Sequence, residues 1–222
     1  MHEIMKQYYA MRAPLYDQIY QKSERQHDLQ SSRDWLQRAL QGKQVLELAC
    51  GTGFWTEALA SGATPVASIL ATDINPEMLE IARSRLAANE RVTFAFADAF
   101  ALADTPAIHT KTWNACFAGF WWSHVKREEQ AGLLTQLRAL LGAGSSLVLI
   151  DNLYVEGEST PVARTDAHNN TYQIRTQADG QRVEIVKNFP TDSYLRKKLA
   201  SFARDIRIER NHYFWMLSCI LK

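Results

Sequence analysis

The chain has 222 residues, 46% of them hydrophobic and 22% charged, which suits one globular domain able to bury a core without disulfide or metal staples. Twenty-five Lys and Arg against 24 Asp and Glu leave a net charge of +1, so no overall field draws it to nucleic acid or to an anionic membrane. Cys50, Cys116 and Cys219 lie far apart in apolar runs and read as reduced, buried thiols, with no metal-ligand spacing. No window approaches 18 uninterrupted apolar residues and "MHEIMKQYYAMRAPLYD" lacks the form of a secretion signal, so a cytoplasmic chain is expected.

Residues 1–40 look helical and carry the aromatic run Tyr8, Tyr9, Tyr16 and Tyr20, in the place of a lid ahead of the first strand. From Lys43 the pattern becomes regular. "KQVLELAC" predicts a buried strand, "GTG" a turn, and "FWTEALASG" a helix stopped by Gly62. "ASILATD" is a second strand, and "NPEMLEIARSRLAAN" a second helix with Asn75 as its N-cap and Pro76 at its first position. "RVTFAFAD" and "TWNACFAGF" are the third and fourth strands, "REEQAGLLTQLRALL" an amphipathic helix ended by Gly142, and "SSLVLIDN" the fifth strand.

After Asn152 a polar stretch leads to "NTYQIRTQADGQRVEIVKNFP", two alternating runs about Asp179-Gly180 that predict a hairpin. A helix near Thr191 to Phe202 and the strands "DIRIER" and "HYFWMLSCIL" close the chain. The expected fold is therefore α/β, a Rossmann-like, seven-stranded, mostly parallel sheet. Its single domain, 1–222, comprises a helical lid (1–40), a core (41–152), an insertion with a hairpin (153–190) and a final helix with two strands (191–222).

Ligands of such sheets bind beyond the carboxyl ends of the strands, and the informative residues fall there. Gly51 and Gly53 permit a tight turn whose backbone N–H groups approach a ligand, while Thr56 stands where a dinucleotide fingerprint has a third glycine. Glu47 would repel a pyrophosphate but can hold an ammonium. Asp73, ending the second strand, is placed to accept ribose hydroxyls, and Asp98, ending the third, to accept from an adenine amino group beside the N–H of Ala99.

"VLELACGTG", "ATDINPEML" and "FADAF" resemble the class I S-adenosylmethionine-dependent methyltransferases over roughly Tyr8 to Leu221. The resemblance implies S-adenosylmethionine as cofactor, with S-adenosylhomocysteine as product. It assigns cofactor contacts to Glu47, Gly51, Gly53, Asp73, Ile74, Asp98 and Ala99, and to Tyr16 of the lid. Ala49 departs from it, since the family often has glycine there.

"YYAMRAPLYD", "LELACGTGFWT", "FAGFWWSHV" and the hairpin are also similar to a small-molecule O-methyltransferase subgroup that includes the dehydrophos phosphonate O-methyltransferase. That similarity gives His124 as base or orienting group and Lys187 as a cation for an acidic substrate, with Arg164 or Arg175 adding charge. Tyr20, Trp121 and Trp122 are candidate substrate contacts, although one tryptophan at least suits the core. The expected activity is methyl transfer to an oxygen of a small anionic or hydroxylated metabolite, with no nucleic-acid or membrane partner, no metal and an undetermined oligomeric state. The alternatives are N-methylation of a small amine and a catalytically silent cofactor-binding partner protein.

Overall fold

The computed structural model describes residues 3–62, 65–177 and 179–222. The lid segment folds as α1 (Glu3–Arg12), a 3-10 stretch over Ala13–Tyr20, a 3-10 turn over Ser23–Arg25 and α2 (Gln26–Leu40). Strands and helices then alternate: β1 (Gln44–Leu48), α3 (Phe54–Ser61), β2 (Ser68–Asp73), α4 (Pro76–Arg85), β3 (Val92–Phe96), β4 (Ala115–Gly119), α5 (Gln130–Leu141) and β5 (Ser146–Asn152). The remainder forms β6 (Arg164–Thr165), β7 (Thr171–Thr176), β8 (Arg182–Val186), α6 (Asp192–Leu199), β9 (Ala203–Arg210) and β10 (Phe214–Leu221).

Seven strands make one sheet in the order β3-β2-β1-β4-β5-β10-β9. The first five run parallel, and β10 enters antiparallel to both of its neighbours. This is the expected mostly parallel sheet. Strand side chains alternate between its faces. Leu46, Leu48, Cys116, Leu147 and Leu149 join the cluster under α5 and α6, whereas Val45, Ile69, Phe117, Val148 and Ile150 join the one under α2, α3 and α4. Burial on both faces is why these strands read as continuous apolar runs. By the same alternation Glu47 shares the face of Val45, beneath α3.

The hairpin about Asp179-Gly180 is β7 paired with β8, and β6, which the sequence pattern did not announce, adds a third strand to this separate sheet. Its inner residues Tyr172, Val183, Ile185 and Val186 bury Met5 and Tyr8 of α1 in a small core of their own. The lid is thereby seated on the hairpin. Asn75 begins α4, but its side chain makes no capping bond; Asp73 accepts from the Asn75 N–H instead, at 2.8 Å. α6 does have its expected start, with the Thr191 hydroxyl accepting from the Tyr194 N–H.

Candidate active site

The β1–α3 loop forms because Gly51 (φ 56°) and Gly53 (φ 80°) adopt the left-handed region at little cost. Gly53 has a second reason to be glycine, since a Cβ there would lie 3.1 Å from the Cβ of Ala82 on α4. Ala49 is also left-handed, at φ 50°, so the position that departs from the family resemblance is occupied here by a strained residue. Thr56 replaces no missing glycine function: its hydroxyl donates to Glu47 at 2.7 Å. Glu47 is 1% exposed and lies under the loop rather than on a cavity wall. Burial, reinforced by the nearby Asp73 charge, pushes its carboxyl up to about 8 despite the Thr56 bond.

Beyond the strand ends a first cavity is walled by Tyr16, Gly51, Asp73, Ile74, Asp98, Ala99 and Trp121, together with Asn75, Met78 and Phe100. Six of the eight cofactor residues read from the sequence therefore meet in one place; Glu47 lies beneath the loop, and Gly53 shapes it from within. Asp73 ties the wall together, its Oδ2 accepting from the Gly51 N–H and its Oδ1 from the Asn75 N–H, both at 2.8 Å. Burial still raises its carboxyl to about 6. Asp98 accepts from the N–H of Phe100 at 2.9 Å. Asn75 Oδ1 is buried on this wall with no partner, an acceptor that a bound polyol can satisfy.

A second cavity of about 300 Å3 opens between the lid, the hairpin and the segment after β5. Tyr9, Tyr16, Phe120 and His124 border both cavities and so mark their junction. The second is lined by Arg12, Lys22, Arg25, Arg175 and Lys187, with Glu158 as its carboxylate. Arg175 hydrogen-bonds the neutral groups of Thr160 and Gln173, both at 2.6 Å, and forms no ion pair among the described residues.

His124 follows β4 on the loop that the strand end presents. Its Nδ1 lies 2.6 Å from the Val186 carbonyl, which only accepts, so Nδ1 carries the proton. Nε2 then presents its lone pair to the Tyr9 hydroxyl, 2.8 Å away. Burial first, and then the Lys187 ammonium, hold the imidazole well below its ordinary value. The histidine is thus a neutral, oriented acceptor at neutral pH.

Lys187 differs from the sequence expectation of a free cation on a hairpin. Its Nζ is buried, donating to Ser123 Oγ at 2.7 Å and to Asp151 Oδ1 at 3.0 Å. Asp151 also accepts from the Ser123 N–H and the Asn152 N–H, both at 2.8 Å. The Asn188 N–H donates to the Ser123 carbonyl at 2.8 Å. The end of the hairpin therefore grips residues 123–125, and the ammonium on the cavity wall is already paired.

Four other readings are corrected. Trp122 is 1% exposed in the core beneath α5 and borders neither cavity. Trp121 lines the first cavity beside Phe100, on the Asp98 side, and not the acceptor side. Tyr20 stacks on Phe54 at 3.6 Å between ring centroids and reaches neither cavity. Arg164 likewise points away, its Nε donating to Glu184 at 2.8 Å on an exposed face. Tyr9, Phe120, Arg12 and Met78 are site residues that sequence reasoning gave no role. Only Tyr9 had a signal, its place in the lid's aromatic run. Phe120 borders both cavities from a left-handed backbone, φ 58°, which no pattern of residue types announces.

The three cysteines are buried and unpaired. Among the described residues no group of His, Cys, Asp and Glu can hold a metal ion, and no helix is long and apolar enough to cross a membrane.

Residues 45–144 match the family of methyltransferase domains. Two curated relatives are named demethylmenaquinone methyltransferase. The one from Clavibacter sepedonicus is 45% identical over 58 residues, 26% of this chain and 22% of the relative. The one from Lactococcus lactis subsp. lactis is 35% identical over 83 residues, 36% of this chain and 33% of the relative. These matches span between about a fifth and a third of the relatives' length. Among solved structures, DhpI in complex with SAH aligns over 98% of this chain and 95% of its own, with a TM-score of 0.75 at 24% identity. DhpI with SAM and HEP aligns with the same TM-score and identity over 98% and 96%. The matched methyltransferase domain spans the glycine loop and the acids at three strand ends, and the fold built around them is that of the class I S-adenosylmethionine-dependent methyltransferases.

Proposed function

We propose that the chain methylates an oxygen of a small anionic metabolite held in the second cavity. One observation carries the reading: five cationic side chains face a single carboxylate around a space that meets the cofactor side at His124. S-adenosylmethionine supplies a methyl group on a positively charged sulfur. Asp73 and the unpartnered Asn75 Oδ1 would receive its ribose hydroxyls, Asp98 its base, and the Gly51 turn its amino-acid part.

The chain's remaining contribution is alignment and proton handling. Closing two reactants into one geometry supplies about 7 to 11 kcal/mol, and a base adds roughly 10²- to 10⁴-fold. Arg175, whose side-chain partners are neutral, is the cation best able to take an acidic group. Lys187 contributes field rather than a free contact, because Asp151 accompanies it. His124, neutral and facing the junction, suits an acceptor oxygen that still carries its proton; a carboxylate or phosphonate oxygen arrives ionised and needs only to be aimed. A solved structure of this fold named as a DhpI-SAM-HEP complex supports a fold that takes a second component together with SAM.

The test is a methyl-transfer screen over small hydroxy acids, phenols, carboxylic acids and amines, read as S-adenosylhomocysteine formed. Acidic acceptors should turn over, and Arg175→Gln should raise their KM about tenfold or more, with little change for neutral ones. Preference for amines, or equal effects on charged and neutral acceptors, would overturn the reading.

A further inference from the structure

His124 borders the second cavity, but its lone-pair nitrogen is not free. Tyr9 Oη lies 2.8 Å from Nε2, the nitrogen that carries the lone pair, so a proton from an acceptor in the second cavity reaches that lone pair through the phenol. Tyr9 borders both cavities, and its ring is fixed edge-on to His124, Tyr8 and Tyr16 at 5.3, 5.1 and 6.0 Å between centroids. The Arg175 charge acts on the same phenol from the acceptor side.

We propose that Tyr9 is the proton relay between the acceptor hydroxyl and His124. The inference rests on the reading of His124 as the base for methyl transfer to oxygen. The acceptor O–H passes its proton to Tyr9 Oη while the Tyr9 proton moves to His124 Nε2. The Tyr9 O–H is thereby regenerated, the acceptor oxygen keeps the electron pair with which it bonds to the methyl carbon, and one proton remains on the imidazole for release to solvent. No tyrosinate forms, which agrees with burial holding the Tyr9 phenol far above its ordinary value. The fixed geometry matters because proton transfer needs heavy atoms within about 2.6 to 3.2 Å. The Val186 carbonyl serves the relay by pinning the Nδ1 proton, and so keeping Nε2 as the receiving atom.

Tyr9→Phe removes the hydroxyl and keeps the ring packing. With glycolate and 4-hydroxybenzoate scored by the methyl ether formed at the hydroxyl, and acetate and benzoate by the methyl ester formed at the ionised carboxylate, kcat should fall roughly 10²-fold or more for the ethers and less than threefold for the esters, with KM little changed. Tyr9→Phe combined with His124→Gln should cost no more than either change alone, the mark of groups acting as a unit. In the full-length protein without ligand, the ¹⁵N resonance of His124 Nε2 should move toward that of an unbonded lone-pair nitrogen in Tyr9→Phe, while Nδ1–H is unchanged. Equal losses on both acceptor classes, additive effects, a faster variant or an unmoved Nε2 resonance would each overturn the relay. Failure of the wild-type chain to methylate any of the four would overturn the parent reading instead, and the nitrogen shift would still report on the Tyr9–His124 bond.

Discussion

Glu47→Gln isolates the electrostatic cost beneath the cofactor loop. Glu47 is 1% exposed, accepts from the Thr56 hydroxyl and faces the Asp73 charge. Its folded value of about 8 stands above the ordinary 4.5, so between those pH values the unfolded chain has lost a proton that the folded chain keeps. Folding then binds a proton, and stability falls as pH rises through that window. Each pH unit is worth 1.36 kcal/mol, which sets an upper limit of about 5 kcal/mol for the whole window and about 3 kcal/mol at pH 7. Gln keeps the oxygen that accepts from Thr56 and has no charge to bury. The variant should match wild type near pH 4.5 and exceed it increasingly toward pH 8. Urea denaturation at several pH values measures this, with an unchanged m-value as the check that only stability moved. A difference that stays constant with pH would mean that Glu47 is ionised in the fold, and the reasoning would fail. The same variant should bind S-adenosylmethionine more weakly if a carboxylate is needed near its ammonium, and calorimetry in buffers of different ionisation enthalpy would expose the linked proton.

Asp73→Ala removes the acceptor for two backbone N–H groups and for the proposed ribose contact; S-adenosylmethionine affinity should drop by about 2 kcal/mol or more in a calorimetric titration, and unchanged affinity would remove that assignment. Lys187→Met leaves Asp151 buried without its cation and should destabilise the fold by about 3 to 5 kcal/mol in thermal or urea unfolding, with Asp151→Asn restoring part of the loss. An effect on KM alone would return Lys187 to the role of a free substrate cation. Ala49→Gly should raise stability by about 1 kcal/mol or less, since glycine adopts φ 50° without a Cβ clash, although its extra freedom in the unfolded chain opposes the gain.

The wall of the first cavity was legible in the sequence because its residues are local to strand ends. A parallel sheet places the carboxyl ends of its strands along one edge, so Gly51, Asp73 and Asp98, far apart in the chain, share a wall by topology alone. Period-2 alternation likewise contained the placement of Glu47 on the face of Val45, although its separation from the cavity depends on how α3 packs above it. The second cavity was not legible in this way. It is made by three segments that the sheet does not order: the lid with Tyr9 and Arg12, the β4–α5 loop with His124, and the hairpin with Arg175 and Lys187. Which lid tyrosine faces His124 is decided by how α1 seats on the hairpin through Met5 and Tyr8, a tertiary contact without sequence periodicity. Tyr20, the residue closer to the glycine loop, is drawn into the stack of Phe54 and Phe120 instead.

The position of Lys187 follows from the same division. Hairpin lysines are commonly solvated, and a cation near an acidic substrate is the natural reading of one placed beside a methyl-transfer site. Here the residue directly after β8 crosses to the end of β5, where Asp151 is already committed to the N–H groups of Ser123 and Asn152. A carboxylate so deeply buried requires a cation, and Lys187 provides it while its neighbours Val186 and Asn188 bond His124 and Ser123. The insertion thus holds His124 from behind. Under the proposed function, recognition of an acidic acceptor would then fall to cations not already matched by a carboxylate, and Arg175, on the strand paired with β8, is the one that the hairpin carries into the cavity.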